Sequence, residues 1–215
     1  MKIGHISCLI VALCGGGIAQ AQFVPVQAKI GELREVTLPD NKIILNSKQG
    51  VFYRSSDGSV LIHWLNQNGK EAWDGTLHDN KGLAFYELDY KQHRAMEHTK
   101  PPAAVKPGSY NSITRDVGTD TIEGIGCRII PIKLGRAGSS SADIGKSCVS
   151  TEYDLRLWQD VTVPTVENRP ERTRTRLYEI KLGTEPDPSL FDVRSAFKIY
   201  VPQSGTSAGS AKLQP

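Results

Sequence analysis

The chain has 215 residues, of which 39% are hydrophobic and 23% are charged. This composition supplies enough apolar side chains for a packed core and excludes a wholly disordered protein. The formal charge of +3 is too close to balance to indicate a nucleic-acid-binding surface or a polybasic membrane patch. The mean hydropathy is −0.33 and the one long apolar run lies at the N-terminus, which excludes a multi-span membrane protein.

Residues 1–21 have the features of a secretory signal peptide. Lys2 supplies the positive charge, a short apolar run follows, and a small-x-small cleavage site ends at Ala21. We therefore expect an exported protein, periplasmic or secreted, whose mature chain begins at Gln22. The alternatives are a lipoprotein acylated at Cys14 and an uncleaved anchor, for which the apolar run is short.

Removal of the signal peptide would leave two cysteines, Cys127 and Cys148. An even number of cysteines in an oxidising compartment predicts one disulfide bond. A Gly/Ser-rich segment, residues 135–147, separates the two β-type runs that carry them, and an antiparallel hairpin around this segment would bring the sulfurs together. The alternative is two buried free thiols. A lone cysteine pair with no nearby histidine does not make a zinc site.

Short β-type runs broken by Gly, Asp, Asn and Pro dominate the first half of the mature chain. The predicted strands are residues 32–38, 43–47, 50–55, 59–65 and 83–89. Residues 39–41 supply turn chemistry between the first two runs, and Asp57-Gly58 does so between the next two, so two hairpins are predicted. Residues 90–98 fit either an extension of the last strand or a short helix.

The second half predicts further strands, a helical turn and a short closing strand. These runs are residues 121–134, 148–163, 172–182, 189–193 and 197–201. The Pro-rich residues 101–112 and the Gly/Ser-rich residues 135–147 are predicted loops. The composition of residues 203–215 predicts a disordered tail. The expected organisation is therefore a signal peptide, a single β-rich domain over residues 22–202, and the tail.

Three stretches carry a resemblance to a known group of proteins. They read "TLPDNKI…GVFYRSSDGSV" over residues 37–60, "VGTDTIEGIGCR" over 117–128 and "TRLYEIKLGTEPDPSLFDV" over 175–193. Together they are similar to a group of uncharacterised secreted proteins known from acidobacterial-type genomes, with the blocks "GTxTIEGI" and "GEPDPSLF". The order and spacing match from Lys29 to Lys198. The group in turn resembles the LolA/LolB-like lipoprotein-carrier architecture.

The resemblance implies a strongly curved antiparallel sheet that forms an incomplete barrel, with a few short helices or loops on its concave face. We therefore expect a mainly β fold. No catalytic residues follow from the resemblance. The chain departs from the group's pattern in its Cys127/Cys148 pair, in the stretch "YDLRLWQD" at residues 153–160, and in having no N-terminal amphipathic helix of the lipoprotein-carrier kind.

Residues that could carry chemistry are few and scattered. Convergence of His63, His78, His93 and His98 could build a metal site, but four unrelated histidines are the simpler interpretation. The chain has no Gly-x-Ser-x-Gly elbow and no phosphate-binding glycine loop. We therefore expect no catalytic site, no metal and no cofactor.

Aromatic residues are the more informative set, because some of them must line the concave face of a curved sheet. The candidates for this ligand face are Trp64, Trp73, Phe85 and Trp158. The arginines at positions 172, 174 and 176 share one strand face. They predict either a solvated surface or a contact for an anionic partner such as a lipid headgroup or a polysaccharide.

These observations predict a non-enzymatic binding or carrier module of the cell envelope with an apolar concave surface. Its partner would be an apolar or lipid-like ligand, or an envelope protein, and not a nucleic acid. The alternative is a structural or interaction protein of the envelope with a filled core, and an envelope hydrolase is a third class. The volume and polarity of the concave face separate the first two.

Overall fold

The computed structural model describes residues 22–38, 40–98, 106–108, 110, 116–134, 142–164 and 170–201. Residues 142–147, predicted as part of the loop 135–147, are strand in the structure, because they pair with residues 130–134. The predicted signal peptide with Cys14, the predicted tail, most of the predicted loop 101–112 and residues 135–141 lie outside the described residues. Those predictions stay predictions.

The described residues form one sheet of twelve strands. In chain order these are β1 Val26–Thr37, β2 Ile43–Arg54, β3 Val60–Leu65, β4 Ala72–Asp79, β5 Ala84–Asp89, β6 Arg94–Glu97, β7 Gly118–Ile122, β8 Ile125–Leu134, β9 Ala142–Ser150, β10 Leu155–Pro164, β11 Pro170–Leu182 and β12 Lys198–Tyr200. The order across the sheet is β12-β6-β5-β4-β3-β2-β1-β11-β10-β9-β8-β7. Outside the sheet, the described residues include a 3₁₀ turn, Pro188–Phe191, and one turn of α-helix, α1 Val193–Ala196. This open, mostly antiparallel sheet confirms the mainly β fold class.

Local turn chemistry explains why consecutive strands pair as hairpins. Gly58, with φ of +89°, lies in the turn that joins β2 to β3, as the Asp-Gly signal predicted. The β7–β8 turn has positive φ at both Glu123 (+50°) and Gly124 (+82°), the backbone of a two-residue hairpin turn. This turn divides the run 121–134, predicted as one strand, between two strands.

Two long-range pairings give the sheet its order. β11 returns to pair antiparallel with β1, so that Ile30 lies opposite Leu177 near the middle of the sheet. After the short helices, β12 pairs parallel with β6, and Ile199 lies opposite Ala95. The last third of the described chain therefore pairs with earlier strands twice, with β1 at the centre of the sheet and with β6 at an edge.

Two clusters of buried side chains form the core. The first joins β1 to the strands from β7 to β11 and includes Val26, Ile30, Leu157 and Leu177. The second consists of Leu61, Leu77, Ala84, Tyr86, Leu88, Ala95 and Val193. Leu190 and Phe191 of the 3₁₀ turn pack against this second cluster, so the short helices cover one face of β3–β6.

Arg54 connects three parts of the chain at the end of β2. Its side chain is buried, with the residue 3% exposed, and its guanidinium lies 5.2 Å from the ring of Phe23. It donates hydrogen bonds to the carbonyl oxygens of Val24, Tyr153 and Asp154 over 2.6–3.2 Å. One cation therefore ties the chain before β1 and the β9–β10 turn to β2.

Cys127 and Cys148 form the predicted disulfide bond. It links β8 to β9 with 5.5 Å between the Cα atoms. In the ladder Cys148 lies opposite Ile129, so the bond crosses to the residue two positions along the neighbouring strand. Both cysteines are buried and belong to the first core cluster. The bond is therefore a part of the core as well as a link between strands.

Candidate functional site

A groove of about 690 Å³ crosses one face of β2–β6 and β12; we call it the Trp64 groove. Its lining residues are Lys48, Trp64, Asp74, Gly75, Thr76, Glu87, Leu88, Asp89, Arg94, Ala95, Met96, Lys198, Ile199 and Tyr200. Six strands contribute to it, so its shape is fixed by the sheet and does not depend on loops.

The strand registers divide the floor of the Trp64 groove into two rows. The first row runs from Trp64 through the charged Asp74, Asp89, Arg94 and Lys198. The second row runs from Thr76 through Glu87 and Met96 to Tyr200. Residues two apart on a strand point to the same face about 7 Å apart. The groove therefore places a mostly charged row beside a row that ends in two large apolar side chains.

The charges within the Trp64 groove balance. The bases Lys48, Arg94 and Lys198 face the acids Asp74, Glu87 and Asp89. Lys48 Nζ lies 3.5 Å from a carboxylate oxygen of Asp74 and 5.8 Å from the centre of the Trp64 ring. His98 Nε2 lies 2.9 Å from Glu87 Oε1. The groove is thus amphipathic, whereas the sequence predicted an apolar surface.

A second groove, of about 660 Å³, lies over β1, β2, β10 and β11 beside β7; we call it the Trp158 groove. Its lining residues are Gly31, Glu32, Leu33, Ser47, Lys48, Gln49, Asp120, Ile122, Trp158, Gln159, Asp160, Arg174, Thr175, Arg176 and Tyr178. Gly31 is adjacent in sequence to Ile30, which the register places in the same row as Gly50 and Trp64. Because adjacent strand residues point to opposite faces, the two grooves lie on opposite faces of the sheet.

The four predicted ligand-face aromatics do not share one surface. Trp64 and Trp158 line the two separate grooves. Trp73 is 54% exposed and lines neither groove; its ring lies 5.4 Å from Lys91 Nζ. Phe85 packs edge-on against His98, with 4.9 Å between ring centres. Two of the four therefore stand at a cavity.

The predicted arginine row lies on β11, beside the Trp158 groove. Arg172 donates to Asp160 from Nε at 2.8 Å, and Arg174 donates to Glu35. Arg174 and Arg176 line the groove. The row is therefore largely paired with carboxylates of neighbouring strands.

The histidines are spread over the sheet. Among the described residues, no group of three or more His, Cys, Asp or Glu side chains could hold a metal ion. His63 lies between two tyrosine rings, with ring centres 5.7 Å from Tyr53 and 4.9 Å from Tyr90. Its Nε2 atom is buried without a hydrogen-bond partner among the described residues.

Burial lowers the pKa of His63 from its ordinary 6.5 to about 4. Between these values the unfolded chain binds the proton and the folded protein does not, so the free energy of unfolding should fall as the pH drops from 6.5 to about 4. Burial also lowers the pKa of His78, although the charge of Asp79 partly opposes this shift. His78 therefore contributes to the same loss of stability at lower pH. His63→Leu should therefore weaken this pH dependence.

Urea unfolding of the wild type and of His63→Leu at several pH values between 7 and about 4 measures the effect. The matched control is His93→Asn, which changes an exposed histidine whose φ of +50° asparagine tolerates. An NMR titration should show no protonation of the His63 ring at pH 5.5 to 6. Protonation near its ordinary pKa would contradict the expectation.

Several groove residues escaped sequence analysis. Met96 and Tyr200 line the Trp64 groove because β6 and β12 pair in parallel, a contact between distant segments with no local sequence signal. β4, which supplies Asp74 and Thr76, was not predicted. Its Asp and Gly residues are rare in strands, so the local pattern did not predict one. Pairing with β3 on one side and β5 on the other stabilises it.

No helix among the described residues is both long and apolar enough to cross a membrane.

Comparison with known proteins finds similar solved structures but no matching family. No known family profile matches the sequence, and no curated protein matches it. An uncharacterized conserved protein from Thermus thermophilus is 9% identical, with 83% of this chain and 90% of that chain covered and a TM-score of 0.47. For a chain of the MucA/MucB complex from Pseudomonas aeruginosa, the identity is 12%, the coverage 82% and 58%, and the TM-score 0.44.

A LolA superfamily protein from Nitrosomonas europaea is 10% identical, with 75% of this chain and 88% of that chain covered and a TM-score of 0.32. With TM-scores below 0.5 and identities of 12% or less, these likenesses do not assign the chain to a family.

Proposed function

We propose that the chain is an exported, non-enzymatic binding protein of the cell envelope that holds an amphiphilic ligand in the Trp64 groove. The groove itself carries the proposal. Its volume of about 690 Å³ lies within the range of small-molecule binding sites. Six strands build it, so the site is formed before any ligand arrives and little ordering is needed on binding.

The two rows of the floor fit a molecule with a polar head and an apolar tail. Met96 and Tyr200 offer apolar surface at one end of the second row, and Tyr200 is 59% exposed. Trp64 packs against the first core cluster and presents its remaining surface to the groove. An apolar tail that covers these side chains removes their exposed surface from water, which is the main source of affinity.

The charged row selects the head of the ligand. Three basic and three acidic side chains line the groove, so a strongly charged head would leave side chains of its own sign unpaired. A zwitterionic or neutral polar head pairs with both kinds. Lys198 and Arg94 lie opposite each other on β12 and β6, next to Met96, which places the head beside the tail.

Export agrees with the disulfide and with the predicted signal peptide. Disulfides persist in oxidising compartments and are rare in the cytosol, so the Cys127–Cys148 bond supports an envelope or extracellular location. The open volume over the sheet favours a binding protein over an interaction protein with a filled face.

Binding of a dansylated lysophosphatidylcholine, a fluorescent amphiphile with a zwitterionic head, tests the proposal. We expect its fluorescence to rise on saturable binding and to accept energy from Trp64. Met96→Lys places a charge in the apolar end of the groove and should weaken binding at least about tenfold, since tenfold requires only about 1.4 kcal/mol. The measurement is a fluorescence titration at constant salt.

The matched control is Ile43→Lys, which makes the same change at a side chain that is 62% exposed on β2 and outside the groove. It should leave the affinity unchanged. Equal weakening by both variants would indicate a general charge effect, and the absence of saturable binding to the wild type would refute the proposal.

A further inference from the structure

We infer that the Trp158 groove is a second binding site, which takes a pyranose ring of a neutral glycan. This site is distinct from the amphiphile site proposed for the Trp64 groove, because it lies on the opposite face of the sheet, although Lys48 of β2 lines both grooves. Its floor contains no strand edge and no loop, and its lining mixes aromatic rings with amide and charged side chains. Aromatic surfaces with a few convergent hydrogen-bonding groups are the chemistry that sugar rings require.

The strand registers build the floor in one row. Gln49 on β2 lies opposite Gly31 on β1, Gly31 opposite Arg176 on β11, and Arg176 opposite Trp158 on β10. Tyr178 follows two residues after Arg176 on the same strand face. A hydrogen-bonding amide, a bare backbone, a guanidinium and an indole therefore stand side by side across four strands, about 5 Å from strand to strand.

Gly31 opens the centre of this row. It has no side chain, and a Cβ built at this position would meet only the Tyr178 ring within 4 Å, at 3.6 Å. The space above the backbone is thus bounded by Tyr178 and flanked by Gln49 and Trp158 rather than filled. The C–H face of a pyranose chair can lie on the backbone here with the tyrosine at its edge.

Trp158 is held in position by a polar contact. Its indole Nε1 donates a hydrogen bond to Asp120 Oδ2 on β7 at 3.2 Å. This bond occupies the polar end of the indole and leaves the ring face as apolar surface for the groove. The hydrogen bond also draws the edge strand β7 to the side of the groove, where Asp120 and Ile122 form a wall.

The charges favour a neutral ligand over an anion. Arg174 is paired with Glu35, and Asp160 is paired with Arg172, so these groups are already neutralised. Two backbone hydrogen bonds, from Ile180 and Glu179, lower the pKa of Glu123. The positive charge of Arg176 lowers it as well, so Arg176 already interacts with a carboxylate. A phosphate or carboxylate ligand would find no uncompensated pair of cations, whereas hydroxyl groups can bond to guanidinium, amide and carboxylate alike.

Titration with cellotetraose and with chitotetraose, followed by backbone-amide NMR of the full mature chain, tests the inference. We expect shift changes centred on Gly31, Trp158 and Arg176 with at least one of the two sugars. Gly31→Val fills the centre of the floor and should weaken binding at least about tenfold. The fold should tolerate it, because the new Cβ has room and valine favours strands.

Gly126→Val is the matched control, because a Cβ at that strand position meets nothing within 4 Å and the residue lies outside the groove. It should bind like the wild type, and both variants should bind the dansylated amphiphile unchanged. The inference is overturned if neither sugar shifts the groove resonances, if Gly31→Val binds normally, or if phosphatidylglycerol vesicles shift them and the sugars do not.

Discussion

Replacing Arg54 by methionine is expected to lower the free energy of unfolding by about 3 kcal/mol or more, because three partly buried carbonyl acceptors lose their donor. The carbonyl oxygens of Val24, Tyr153 and Asp154 all receive hydrogen bonds from this one guanidinium. Methionine has a similar length and can fill the space, so the loss reflects the polar contacts rather than a cavity. Burial lowers the pKa of Arg54, and the charge of Asp154 opposes that effect.

Arg54→Lys separates the geometry from the charge. Lysine keeps the cation, but an ammonium cannot reach carbonyls on two sides as the planar guanidinium does. We expect the lysine variant to be less stable than the wild type and more stable than the methionine variant. Urea unfolding followed by tryptophan fluorescence gives the differences, and a methionine variant within about 0.5 kcal/mol of the wild type would show that water replaces the lost donors.

The positions of most strands follow from residue patterns, but their ends do not. Residues 43–47 and 50–55 were predicted as two strands, and the structure joins them into β2. The predicted gap was residues 48–49, and Gly50 began the second predicted strand. In the sheet it marks a close approach, since a Cβ there would lie 2.3 Å from the carbonyl oxygen of His63. The sequence alone does not distinguish a glycine that allows close approach of two strands from a glycine that allows a turn. The position of the partner strand is needed to tell them apart.

Turns without glycine or proline were the opposite difficulty. The run 148–163 was predicted as one strand, and the structure breaks it between β9 and β10. Asp154 adopts a left-handed φ of +50° there, and its carbonyl oxygen accepts the hydrogen bond from Arg54 at 2.6 Å. A residue 100 positions away thus stabilises the turn, so no local pattern could have predicted it.

That the predicted aromatics form a ligand face stays a prediction, but the structure shows where they lie. Composition pointed to Trp64 and Trp158 as residues at a cavity, and both line grooves. The sequence could not show that they lie on opposite faces, because a shift of one residue in register exchanges the faces of a strand. The structure therefore has two separate grooves, whereas the aromatic residues had been expected to share one ligand face.

Removing the Cys127–Cys148 disulfide with a double alanine substitution is the second large effect that we expect. The bond closes a loop with a sequence separation of 21 residues. Closing a loop of this size stabilises a protein by about 3 kcal/mol, mainly by restricting the unfolded chain. Both side chains also pack in the first core cluster, so their loss removes buried contacts. The free energy of unfolding should therefore fall by about 3 to 5 kcal/mol.

Ser150→Ala provides a matched control on β9. Ser150 is fully buried close to Cys148, and its hydroxyl has no hydrogen-bond partner among the described residues. Removing an unpartnered hydroxyl relieves a desolvation cost, so this variant should be as stable as the wild type or slightly more stable. A large loss from Ser150→Ala would mean that any change in this part of the core is harmful and would remove the specific role of the disulfide.

Thermal unfolding should show the double variant melting roughly 6 to 20 °C below the wild type, as expected for a change of this size in a chain of this length. The folded wild type should also keep its disulfide in dithiothreitol, because Cys127 and Cys148 are only 5% and 0% exposed and the reductant must first reach a sulfur. Reduction should become rapid only at urea concentrations that unfold the protein. Rapid reduction without urea, or an unchanged melting temperature, would mean that β8 and β9 hold together without the bond.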